Sequence, residues 1–312
     1  MRLVSKKQDG VRKIMRNITI YNPAAGSGKK KSEKPNPSGI SHVTTHINDA
    51  SEYIKKCCLE DPDTCFTVYG GDGTVCEAVN GIMQAGKGDS AILSVVPAGS
   101  GNDFVRNFPS GSPKEYPLDL IDLGDLFGVN VVNIGFDCEV VAKSESLRSN
   151  GLITGGFSYI VGVAAVLAGK FGLHLEGEMT LENGEAEPFS GEYLLCAIGN
   201  GAYYGGGFKA VPAAKTDDGL LDVLLVRRVS RAKFLSLVGR YRAGKHIDTN
   251  TLEPIPDAKD CLIYRRCKSI RVSGMERLCV DGEVIERKEI TASVAPKAIR
   301  FLYPSPKAVE SK

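Results

Sequence analysis

The chain has 312 residues, enough for two compact domains each with a buried core. Apolar residues make up 42% and charged residues 24%, the balance of a globular protein and not of a disordered or fibrous one. The net charge is only +2, so nothing global argues for nucleic acid, where a strongly basic domain is expected.

Residues 1–15 read as a flexible basic lead carrying Lys6, Lys7, Arg12 and Lys13. A short β-rich run, 16–21, stops at the turn signal Asn22-Pro23 and gives way to a polar loop, 26–39, rich in Gly, Lys and Pro. A helix is expected over 50–59 with Asp49 as its N-cap, then a strand over 65–69 that ends in Gly70-Gly71-Asp72-Gly73. From Thr74 onward Val75, Ala78, Val79, Ile82 and Met83 recur at helical spacing, and Gly86 stops the helix. A third strand, 91–96, runs into Pro97-Ala98-Gly99-Ser100-Gly101 and a short helix over 102–107. Strand, glycine turn and helix in repeated order give a parallel sheet wrapped by helices, whose ligands sit at the carboxyl ends of the strands.

Beyond residue 124 short strands dominate: 129–133, 178–181, 192–198, 220–226, 269–272, 277–280 and 289–294, with hairpin corners at Asn183-Gly184 and Asp281-Gly282. They predict a mostly antiparallel second domain, a sandwich or open barrel, interrupted by a helix over 232–243. The domains expected are 16–124, joined by a returning run at about 298–312, and 125–297. The uncharged apolar stretch 152–168 is at the short limit for a membrane span and reads as a buried or interfacial helix. Nine scattered cysteines without paired spacing argue for reduced, buried thiols in a cytosolic protein, and the polar start lacks a secretory leader.

The chemistry gathers at the glycine turns. Several N–H groups can face one anion only where the backbone is free to adopt positive φ, which glycine alone does cheaply. Gly70-Gly71-Asp72-Gly73-Thr74 supplies that freedom between a strand and a helix start, where the helix terminus adds partial positive charge. Asp72 beside phosphate calls for a cation between them, hence Mg2+. The turn is not a P-loop, because Pro23 stands where Gly28-Lys29 would require glycine, and no dinucleotide fingerprint is present.

Asn22 to Gly26 (NPAAG), Gly70 to Gly81 (GGDGTVCEAVNG) and Pro97 to Phe104 (PAGSGNDF) resemble the three signature turns of the diacylglycerol kinase catalytic-domain family. The resemblance continues through 130–137 (NVVNIGFD), Gly205 to Gly207, 212–221 (PAAKTDDGLL) and Asp281-Gly282-Glu283, in the family's order. It implies a nucleotide-binding α/β domain with a parallel sheet and a C-terminal β-sandwich domain for lipid. It also implies an ATP- and Mg2+-dependent lipid kinase, most simply converting diacylglycerol to phosphatidate. An NAD kinase-like enzyme shares the middle turn, and an idle sensor of lipid or nucleotide is the further alternative.

Carried over by motif, the resemblance implies nucleotide contacts at Asn22, Pro23, Ala24, Ala25, Gly26, Thr44 (or Thr45), Gly71, Asp72, Gly73, Thr74, Val75, Cys76, Glu77 and Ser100, the last in place of the family's usual threonine. It implies Mg2+ on the Asp218 carboxylate and the Lys215 and Leu220 carbonyls, an oxygen-only set. Glu283 is implied as the catalytic base, and 152–168 with 202–208 as the lipid's path. The partners implied are an insoluble lipid and the membrane surface, met peripherally from the cytoplasmic inner face, with no nucleic acid and room for a homodimer.

Overall fold

The computed structural model describes residues 15–26, 39–149, 169 and 171–305. The basic lead, the Gly28-Lys29 loop and the apolar stretch 152–168 therefore lie outside the described residues. The chain divides into two compact units, Met1–Leu120 with Pro296–Lys312, and Ile121–Ala295.

The first unit is built on parallel strands β1 (Arg16–Tyr21), β2 (Ile40–Val43), β3 (Thr64–Gly70) and β4 (Ile92–Pro97), hydrogen-bonded in the order β4-β3-β1-β2. β3 carries a near-continuous buried run, TCFTVYG, as expected of a strand covered on both faces. Helices α1 (Asp49–Glu60) and α2 (Asp72–Gln84) connect the strands, and a 3-10 turn, Phe104–Asn107, follows β4. α2 buries the predicted stripe Val75, Ala78, Val79 and Ile82. Strand β5 (Lys114–Asp122) leads out of the unit.

The second unit contains β6 (Phe127–Gly128), β7 (Val131–Gly135), α3 (Phe136–Ser149), β8 (Leu173–Leu181), β9 (Ala186–Gly199), β10 (Leu221–Arg227) and α4 (Arg231–Arg242). It continues with β11 (Leu262–Ser273), β12 (Arg277–Val280), β13 (Glu283–Glu286) and β14 (Glu289–Tyr303). The two long strands explain the sandwich. β9 pairs with β8 over 186–193 and with β10 over 193–199, while β11 pairs with β10 over 262–267 and with β8 over 267–273. Each thus passes from one antiparallel layer to the other, and Ile134, Leu175, Met179, Ile198, Val223 and Ile270 fill the interior between them. Phe136, Phe171, Leu224, Phe234 and Tyr264 form a second cluster under α3 and α4.

The chain re-enters the first unit within β14, whose Arg300–Leu302 pair in parallel with Ile92–Ser94 of β4. The fold class expected from sequence is the one observed: parallel α/β first, antiparallel sandwich second. Among the described residues no helix is long and apolar enough to cross a membrane, and all nine cysteines are free and buried.

Candidate functional site: glycine turns and an acidic hairpin

In the first unit, register brings the strand ends together. Tyr21 pairs with Val43 and Tyr69, and Gly70 with Pro97, so the residues that follow emerge at one edge. Backbone bonds tie these exits to one another: Asn22 N–H to the Tyr69 carbonyl (3.0 Å), Thr44 N–H to Tyr21 (2.9 Å) and Ala98 N–H to Gly70 (2.8 Å). Asn22, Thr44, Gly71 and Ser100 therefore belong to one edge of one sheet.

Side chains then lock the turns. Asn22 donates from Nδ2 to Thr74 Oγ1 (2.9 Å) and accepts the Ala24 amide on Oδ1 (2.9 Å), joining the first turn to the start of α2. Asn102 accepts Gly99 N–H and donates to Gly99 C=O, both at 2.8 Å, and so closes the third turn on itself. Gly71 and Gly99 meet backbone to backbone: a Cβ on Gly99 would lie 2.5 Å from the Gly71 Cα. Asp72 accepts the Phe104 amide on Oδ1 (3.0 Å), binding α2 to the 3-10 turn. This bond gives Asp72 a job that needs no cation, which the sequence argument for Mg2+ at this residue did not foresee.

The N-terminus of α2 faces the same edge, with Gly71 at its N-cap and no side chain capping it. Its first-turn amides are the groups that a phosphate would satisfy. Further along the helix the implied nucleotide residues point elsewhere. Val75 and Cys76 are buried in the helix packing, and Glu77 accepts the Ala50 amide (3.2 Å) at the start of α1. Burial pushes the Glu77 carboxyl above its ordinary range, against the backbone bonds from Asn48 and Ala50 that pull it down.

Asp49 is not the N-cap. That position is Asn48, in the left-handed region at φ 68, and its side chain makes no capping bond. Asp49 opens the helix and accepts from Thr45 N–H (2.7 Å), Thr45 Oγ1 (2.9 Å) and His42 Nε2 (2.6 Å). Burial acts to raise its pKa, and the His42 and Thr45 bonds outweigh it to leave the carboxyl below its usual value. Glu77 thus supplies the cap that Asn48 does not, from 27 residues away. Thr44 is buried and Thr45 exposed, so the neighbouring hydroxyls serve different ends.

In the second unit the Asp281-Gly282 corner is a two-residue hairpin, with Val280 opposite Glu283 and φ of 50 and 99. The Asp281 carboxylate accepts three successive backbone amides, Val129 (2.6 Å), Asn130 (2.9 Å) and Val131 (2.9 Å), while its own N–H donates to Val131 C=O (3.1 Å). These bonds anchor the hairpin to the start of β7 and hold Glu283 exposed as the first residue of β13. Asp281 was visible in the sequence as a corner residue; its clamp on residues 150 away was not.

The loop from Lys215 to Leu220 bends around Asp218, whose Oδ1 accepts the Leu220 amide (3.2 Å) and whose Oδ2 takes the Arg266 guanidinium. The Asp218 carboxylate is a hard oxygen donor, and the Arg266 guanidinium on it already marks the place as one that draws positive charge. The residues fit a hard divalent cation that takes the place of the guanidinium. Asp222, buried beside this loop, accepts from Tyr264 Oη (2.7 Å), and burial pushes its carboxyl up to about 6. Neither Arg266 nor Asp222 carries a motif that sequence reading could have assigned.

Comparison with known proteins follows the same division. The diacylglycerol kinase catalytic domain family matches residues 16–134, and the YegS C-terminal NAD kinase beta sandwich-like domain matches 130–303. A protein named probable lipid kinase YegS-like from Pseudomonas aeruginosa PAO1 is 30% identical over 282 residues, covering 84% of each chain. The diacylglycerol kinase of Bacillus subtilis strain 168 is 26% identical over 287 residues, 85% of this chain and 88% of that one. A crystal structure of a diacylglycerol kinase from Bacillus anthracis Sterne shares the fold, with a TM-score of 0.63 at 21% identity, covering 94% of this chain and 97% of that one.

Proposed function

The chain belongs to the family of the diacylglycerol kinase catalytic domain and the YegS-like lipid kinases, and from that membership we propose that it transfers the γ-phosphate of ATP to the hydroxyl of diacylglycerol, giving phosphatidate. The family is one of kinases, which makes ATP the phosphate donor. The observation that carries the reading is the strand edge of the first unit, where three turns locked by side chains lie at the uncapped N-terminus of α2. In this reading Asn22 to Gly26, Thr44, Gly71 to Thr74 and Ser100 hold the nucleotide, chiefly through backbone amides. Val75, Cys76 and Glu77 serve it by fixing α2.

Mg2+ is proposed on Asp218 and the Lys215 and Leu220 carbonyls, where it would supply charge neutralisation for a polyanionic reaction. Glu283 is proposed as the base. A carboxylate in hydrogen-bond reach of an alcohol takes its proton as the oxygen–phosphorus bond forms. Asp281 is ill suited to that task, because three amides already occupy its carboxylate. Since the acceptor is insoluble, the protein is proposed to work peripherally at the cytoplasmic face of a membrane.

A lipid-panel assay with radiolabelled ATP tests the substrate. Micelles of diacylglycerol, sphingosine, ceramide or phosphatidylglycerol, and NAD in solution, are offered with and without Mg2+. Label is expected in phosphatidate and only with Mg2+; label confined to NAD or another lipid would overturn the assignment.

A further inference from the structure

We propose that Arg266 is a built-in stand-in for the divalent cation of the Asp218 loop and yields that place by moving onto Asp222. The inference deepens the cation reading of the Asp218 loop and rests on it. Arg266 on β11 and Asp222 on β10 are direct cross-strand partners, so their side chains leave the sheet on the same face. The guanidinium holds Asp218 through Nη2, and the exposed Glu182 lies 3.8 Å from Nη1.

The pairing with Asp222 is incomplete. Asp222 is wholly buried and gives one oxygen to Tyr264, yet its Oδ2 has no hydrogen-bond partner among the described residues. The Arg266 Nε–H has none either, and the two atoms face each other at 3.9 Å. A buried polar atom left unpaired is costly, and two complementary ones side by side mark an interaction that a small movement completes. A shift of about 1 Å brings Nε to the ordinary distance of a charge-assisted bond, roughly 2.8 Å.

That shift draws the guanidinium off Asp218 and exposes the Oδ2 that a cation requires. Before the exchange, Arg266 neutralises Asp218 and leaves Asp222 half-paired; after it, the cation neutralises Asp218 and Arg266 completes Asp222. Asp222 is thus a positioning residue that acts through Arg266 and touches neither cation nor substrate.

The test is a titration of the full chain with Mn2+ alone, the free ion being read by its electron paramagnetic resonance signal. Asp218→Ala is expected to abolish binding. Arg266→Met, which removes the competitor and keeps the stem, is expected to tighten it about tenfold, the effect of one close charge pair. Asp222→Asn is expected to weaken it about threefold in the wild-type background and to change nothing in the Arg266→Met background.

If Asp222 acted by its charge alone it would weaken binding equally in both backgrounds, and that result overturns the exchange. So does Mn2+ binding by Arg266→Met that is unchanged or weaker. Should Arg266→Met not fold, Arg266→Leu replaces it, since it too removes the competing charge and the Nε–H, and the same outcomes apply. Mn2+ binding that survives Asp218→Ala would instead remove the cation reading itself, and the exchange with it.

Discussion

Gly71 and Gly99 show how closely the glycine turns are fitted. Their backbones touch, and a methyl on Gly99 would come to 2.5 Å from the Gly71 Cα and 2.9 Å from the Asn102 Oδ1 that closes the turn. Gly99→Ala is therefore expected to lower stability by about 1–3 kcal/mol and to weaken ATP binding more than any single exposed hydroxyl does. Isothermal titration with a non-hydrolysable ATP analogue, alongside urea unfolding, checks both; unchanged binding would mean the turns need not touch. The turns at this edge were legible in the sequence because glycines or an asparagine follow the strand ends there. The long-range bonds within each unit were not. Glu77 reaches α1, Asp72 reaches Phe104 and Asp281 reaches Val129 across 27, 32 and 152 positions, and no local pattern encodes such pairs.

At the scale of elements, α3 and α4 meet through a buried carboxylate. Asp137, in the first turn of α3, accepts the hydroxyls of Tyr204 and of Tyr241 on α4, and burial pushes its carboxyl up to about 6 from 3.8. The folded state therefore prefers the protonated form. Stability from this group is greatest below about pH 4, falls as pH rises to 6 and stays lost above. Asp137→Asn should shrink the drop in urea midpoint between pH 4.5 and pH 7.5; a drop as large as in the wild type would contradict the assignment. α3 itself escaped the sequence reading, because the charged run 143–149 breaks its apolar periodicity. β2 is four residues long and mostly exposed, and Pro117 within β5 reads as a break. The long strands β9 and β11 were seen only in part, since each changes layer midway and alters its burial pattern there.

Across the whole molecule the order of classes was plain from the sequence: glycine turns after strands first, short strands and hairpin corners later. What the sequence could not supply was the division of labour within each unit. In the first, the uncapped start of α2 lies at a strand edge while side chains lock the loops. In the second, a hairpin clamped by Asp281 presents Glu283, and the Asp218 loop sets its carboxylate on Arg266. The proposed phosphoryl transfer to an alcohol asks such parts for phosphate binding, a cation and a base. Substituting the base while watching the fold tests this most directly. Wild-type protein and Glu283→Gln are compared for label transfer from γ-labelled ATP to diacylglycerol, with urea unfolding of both. The account predicts matching unfolding curves and phosphatidate formation slowed by about 10²–10⁴ in the variant; turnover of Glu283→Gln close to the wild-type rate would contradict it.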